Sequence, residues 1–195
     1  MITYKTDDSY FTFITPRLAG RHIDSVRAWF WQEPKAEKRF VYNQQLTITG
    51  APLETVEKFY PRAKTIMVVV NPWRLWFEEF LDDSINNNKR AFHPNSREYP
   101  DFNAYLKSRL SVKKPPKSQL SQAQYTRDGK LYQSEFIFRV ERLEIEFKVI
   151  QDYFESDIPL SLPKLSEYKD LYTDESRKLV DQCCAEDIAR FGYRF

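Results

Sequence analysis

The segment Thr65-Ile-Met-Val-Val-Val70 restricts the fold more than any other stretch of the chain. A short apolar run without alternation reads as a strand buried on both faces, as in a parallel sheet covered by helices. Asn71-Pro72 follows at once. Asn is a good N-cap, and Pro suits the first helical position, where its missing N–H is not needed. The strand therefore passes directly into a helix. Trp73, Trp76, Phe77, Phe80 and Leu81 recur on one face of that helix, and Arg74, Glu78, Glu79, Asp82 and Asp83 on the other. Asn86–Asn88 ends it.

A second unit of the same kind lies upstream. Tyr10 to Ile14 reads as a short strand, Thr15 to His22 as a tight loop, and Ile23, Val26 and Phe30 recur at helical spacing with Asp24 in the first turn. Two strand–loop–helix units imply an α/β domain with a mainly parallel central sheet and right-handed crossovers. Ligands of such sheets sit beyond the carboxyl ends of the strands, which puts Arg17–His22 and Asn71–Arg74 on one rim. A helix that starts after a strand offers free backbone N–H groups to an anion. Arg17, Arg21 and His22 add side-chain donors there. The loop is not that of the nucleotide hydrolases, because no Lys-Ser/Thr follows Gly20.

The other expected elements follow from the same rules. Phe40–Thr49 reads as an edge strand, and Pro52 opens a short helix with Leu53, Val56 and Phe59 on one face. Ala91–Pro100 is a polar loop holding His93, and Asp101–Leu110 is a short helix built on Phe102, Leu106 and Leu110. Ser111–Gln122 is a basic linker, Arg127–Lys130 a hairpin turn and Ser134–Arg139 a strand. Glu141–Phe154 is one helix carrying Leu143, Phe147, Ile150 and Phe154. Thr173 caps a long last helix, with Leu179, Val180, Cys183 and Ile188 inward and Gly192 at its end.

Composition excludes several classes. A net charge of +2 does not mark a nucleic-acid binder. The only cysteines are Cys183 and Cys184, which gives no disulfide framework and suits a reducing compartment. Two histidines and no paired cysteine spacing give no metal constellation. The first residues lack an apolar signal region, and the longest apolar run, Ile66–Val70, is far too short to cross a membrane. The expectation is a single domain over residues 1–195, soluble and intracellular or cytoplasmic, without membrane contact.

Several stretches resemble sulfotransferases that use the donor PAPS (3′-phosphoadenylyl sulfate), of the carbohydrate type and its bacterial relatives. Their 5′-phosphosulfate loop reads His-Ile-Pro-Lys-Thr-Gly-Gly-Thr-Ser; here the span is Ile14-Thr-Pro16-Arg17-Leu18-Ala19-Gly20-Arg21-His22. Pro16 and Gly20 match, and Arg17 stands where the family has its catalytic Lys. Their 3′-phosphate segment, Arg-Asn-Pro-Trp/Tyr-Asp-Arg-Leu, is similar to Val70-Asn71-Pro72-Trp73-Arg74-Leu75. The family's Arg is Val70 here, and its Ser is Phe77 or Glu78. Arg139, Glu141, Leu143 and Phe147 match a further junction, which implies a buried Arg–Glu pair. The ending, from Tyr168 through Leu171-Tyr172, Glu175, Val180, Asp187-Ile188 and Phe191-Gly192-Tyr193, is the fullest match.

The resemblance implies a three-layer sulfotransferase-like domain. It implies PAPS as co-substrate and a hydroxyl-bearing acceptor. Arg17 and His22 then stand as catalytic candidates, and Arg17, Leu18, Ala19, Gly20, Arg21, His22, Asn71 and Arg74 as donor-binding ones. Arg is a strong anion clamp but a poor proton donor. No His lies between Val41 and Val56, where the family often has a base, and Glu54 is the only acid there. The alternative is a protein of this fold, possible among viral proteins, that has lost the reaction and serves an assembly through protein partners.

Overall fold

The computed structural model describes residues 3–5, 10–13, 20–34, 37–39, 63–89, 99–110 and 135–195. The chain separates into two compact units: Met1–Val70 with Gln122–Leu165 (unit 1), and Asn71–Ser121 with Ser166–Phe195 (unit 2). Among the expected elements, the Phe40–Thr49 strand, the Leu53–Phe59 helix, the His93 loop, the Ser111–Gln122 linker and the Arg127–Lys130 turn lie outside the described residues.

Unit 1 carries a sheet of five strands: β1 (Thr3–Lys5), β2 (Tyr10–Phe13), β3 (Glu37–Arg39), β4 (Ala63–Val69) and β5 (Phe136–Arg139), in the order β3-β1-β2-β4-β5. β2, β4 and β5 are parallel; Phe13 pairs with Ile66, and Ile66 with Phe136. β1 pairs antiparallel with β2 and β3. The sheet is thus parallel on one side only, where a mainly parallel one was expected. Glu37–Arg39 supplies the strand at the antiparallel edge. Three charged residues suit an edge, because they discourage pairing with another chain. β4 lies between two parallel strands, and Ile66 to Val70 are all fully buried, as the unalternating run requires.

Helix α1 (Gly20–Gln32) packs in unit 1 against Phe147 and α5 (Lys148–Phe154), which follow the short helix α4 (Leu143–Glu146). Trp29 is the centre of this layer. Its ring meets Phe30, Phe147 and Phe154 edge-on, with centroids 5.1, 5.0 and 5.7 Å away, a favoured aromatic geometry. Its Nε1 donates to the Ile158 carbonyl (2.8 Å), which also accepts from Gln151 Nε2 (2.7 Å). One helix was expected over Glu141–Phe154. Instead a 3₁₀ turn at Val140–Arg142 leads into α4, and the helix tightens at Phe147, whose ψ is −14°. The fully buried Phe147 ring sits there among Trp29, Phe30 and Phe138. Arg139 pairs with Glu146: Nη1 to Oε1 is 3.0 Å, and the Arg139 N–H donates to Oε2 at 2.6 Å. The pair is half-buried, and its carboxylate is one the sequence reading did not single out.

The described part of unit 2 is helical: α2 (Pro72–Lys89), α3 (Phe102–Leu110), a 3₁₀ turn at Lys169–Leu171, α6 (Asp174–Cys183) and α7 (Ala185–Phe191). Its core joins Trp73, Trp76 and Phe77 of α2 to Phe102, Tyr105, Leu106 and Leu110 of α3, and to Tyr168, Val180 and Cys184. Thr173 caps α6 as expected, in a reciprocal box with Ser176: the Ser176 N–H donates to Thr173 Oγ1 (3.2 Å), and the Thr173 N–H to Ser176 Oγ (3.0 Å). The long last helix breaks at Cys184, so Cys184 rather than Cys183 is the buried cysteine. Gly192 ends α7 at φ 67°, the left-handed conformation that glycine adopts without a Cβ penalty.

Candidate functional site

The candidate residues fall on two stretches of backbone. The first belongs to unit 1. β2 and β4 are parallel neighbours inside the sheet, so both end on the same rim. α1 starts at Gly20. Gly20, Arg21 and His22 therefore form the first helical turn, where the sequence reading had them in the loop. That shift places Asp24 in the second turn and leaves the first turn without an acid. The backbone N–H groups of residues 20–22 are then among the donors that a helix start leaves without intrahelical partners. The positive end of the helix has no carboxylate of its own first turn to answer it. Arg17, Leu18 and Ala19 lie outside the described residues.

The second stretch belongs to unit 2. Asn71 is buried and caps α2: the Trp73 N–H donates to its Oδ1 (3.1 Å), and the Leu75 N–H to its carbonyl (2.9 Å). Its Nδ2 donates to the Arg194 carbonyl (3.2 Å). Arg74, expected on a polar face, is only 8% exposed. Its Nη1 donates to the Ser166 carbonyl (2.8 Å), and its guanidinium lies over the Tyr168 ring, 4.8 Å from the centroid. The reason is tertiary. The first turns of α2 are enclosed on all sides, from Asn71 through Phe77, so the polar face begins only at Glu78. Both side chains thus hold segments of their own chain.

Several residues at this turn carried no sequence signal as site residues. Tyr172 donates its hydroxyl to the Trp73 carbonyl (2.7 Å), and Phe195 meets Trp73 edge-on at 5.5 Å. Arg177 lies over the Phe195 ring at 4.5 Å. The density of aromatics between Tyr168 and Phe195 was the available hint. Burial pushes the Tyr172 hydroxyl far above its ordinary range, so it stays a donor. Burial also pushes the Cys184 thiol up to about 12, although Trp76 Nε1 donates to its sulfur at 3.5 Å; Cys183 is raised too. A thiol held protonated is a poor nucleophile, so both cysteines read as packing residues.

Among the described residues no group of three His, Cys, Asp or Glu side chains could hold a metal ion, and no helix is long and apolar enough to cross a membrane. No family model matches the chain, nor does any curated protein or solved structure.

Proposed function

We propose that the protein is a sulfotransferase-like enzyme of the three-layer α/β type, with a divergent donor site, that transfers a sulfuryl group from PAPS to a hydroxyl acceptor. The observation that carries this reading is the start of α1: an acid-free first turn at Gly20–His22, following β2, an inner strand that runs parallel to β4 in a mixed sheet. An oxyanion there meets backbone donors and the positive helix end together. In the reaction the acceptor oxygen attacks sulfur and the bridging oxygen leaves with adenosine 3′,5′-bisphosphate. Charge develops on the leaving phosphate, so donors fixed in advance are the main catalytic device. Arg17 and the N–H groups of Ala19 to His22 take that role, and His22 is the candidate to accept the hydroxyl proton.

The Asn71–Arg74 turn fits the donor less well. Val70 is fully buried and brings no guanidinium, and Arg74 faces Ser166 and Tyr168. This observation favours a second reading, a protein that keeps the fold without the reaction and serves as a binding component of an assembly. Calorimetric titration with adenosine 3′,5′-bisphosphate separates the two. The first reading expects binding that Arg17→Ala weakens, together with PAPS turnover by the unaltered protein. Binding without turnover supports the second, and no binding by either form removes the donor reading altogether.

A further inference from the structure

The outer surface of α4 and α5 carries a stripe that the donor reading does not use. Ile145, Val149 and Tyr153 stand four residues apart and are 64%, 46% and 41% exposed. The inward face of the same helices is complete without them, since Leu143, Phe147, Ile150 and Phe154 are buried. Trp31, on the packed neighbour α1, is 46% exposed. Among the described residues the one other exposed large apolar side chain is Leu171 of unit 2. Single exposed apolar residues need no explanation, but three at four-residue spacing, opposite a complete inward face, mark an interaction surface.

The charges around the stripe say what covers it. Arg142 pairs with Glu146, and Lys64, whose ammonium lies over the Tyr153 ring 4.7 Å from the centroid, pairs with Glu135. Beside them stand one exposed lysine, Lys148, and the exposed acids Glu144, Asp152 and Asp157. We infer that this face docks a helix of a partner protein whose apolar residues, three and four positions apart, are flanked by lysine or arginine. Helix against an apolar stripe is a common recognition mode, and a basic flank answers the acidic rim. A second copy of this chain would set acid against acid. The inference stands on unit 1 surface residues and is independent of the donor reading.

The test uses the full chain and a fluorescent amphipathic peptide of leucine and lysine, about five helical turns long, beside a leucine–glutamate peptide of identical apolar spacing. Anisotropy is expected to show binding of the lysine peptide that weakens with salt. Ile145→Ser with Val149→Ser should weaken it by about tenfold or more. Both positions are exposed, so circular dichroism should show an unchanged fold. Glu144→Lys with Asp152→Lys keeps the stripe, reverses the rim, and should shift preference toward the glutamate peptide. The inference is overturned by equal binding of both peptides, or by lysine-peptide binding that both double variants leave untouched. A dimer seen by sedimentation and lost in the serine variant would also overturn it, by giving the face to a second copy.

Discussion

Units 1 and 2 both bury large aromatic cores, but they fix the geometry of those cores differently. Unit 1 has a sheet. Hydrogen-bonded strands set the positions of β4 and β5, and the helices add apolar faces to them; Trp29 meets three other rings and makes one directed bond, to Ile158. The described part of unit 2 has no strand to set register. There, buried and half-buried donors reach backbone or sulfur far along the chain: Asn71 to Arg194, Arg74 to Ser166, Tyr172 to Trp73, Trp76 to Cys184. Apolar burial is non-directional, so helices that pack without a sheet need such ties to select one arrangement.

The largest expected effect tests the unit 1 side of this contrast. Trp29→Ala empties the middle of an aromatic layer and should destabilise unit 1 by about 3–5 kcal/mol. Urea denaturation followed by circular dichroism reads it. A loss below about 1 kcal/mol would mean that the sheet alone specifies the unit.

Arg74 tests the other side. Arg74→Ala removes a charged hydrogen bond to Ser166 and a stacked ring contact, and should cost about 2–4 kcal/mol. Arg74→Lys should rescue little, because an ammonium does not reproduce a planar group that stacks and donates at once. If Arg74 served a ligand alone, both variants would unfold like the parent protein and differ only in adenosine 3′,5′-bisphosphate binding.

How much of this was legible follows from the same contrast. The Thr65–Val70 strand, the Asn71 cap, the Thr173 cap and the Gly192 stop were readable, because each is a local rule acting within a few residues. Arg74 was not: helical spacing puts it beside Glu78 on a polar face, and nothing local announces that Ser166 and Tyr168 will cover it. The break at Phe147 and the choice of Cys184 over Cys183 likewise depend on rings and helices supplied from elsewhere in the chain. Of the candidate site, the strand before the turn and the helix after it were readable, but α1 begins three residues earlier than the spacing suggests.

A smaller effect is spread over pH. Cys184 is neutral when protonated, and burial lifts its folded pKa from 9.0 to about 12. Its contribution is therefore whole below pH 9 and lost as pH rises toward 12, by at most about 1.4 kcal/mol per pH unit. The raised Tyr172 adds to the same alkaline loss. Thermal unfolding between pH 8 and 11 should show stability falling above about pH 9. Cys184→Ala should flatten that fall, and a slope unchanged by the substitution would assign the loss to Tyr172 or other groups.

Each unit is assembled from two separated stretches, and the chain passes between them at 70/71, 121/122 and 165/166. Translation delivers these stretches in order. When Asn71–Ser121 emerges, the Trp73, Trp76 and Phe77 face has α3 to lean on but lacks Tyr168, Val180 and Cys184, which complete the core. That face stays sticky until Ser166–Phe195 has been synthesised, the kind of interval in which nascent chains aggregate or engage chaperones. A stop codon anywhere after residue 121 and before residue 166 would leave unit 2 half built, with an uncovered aromatic helix pair as its product.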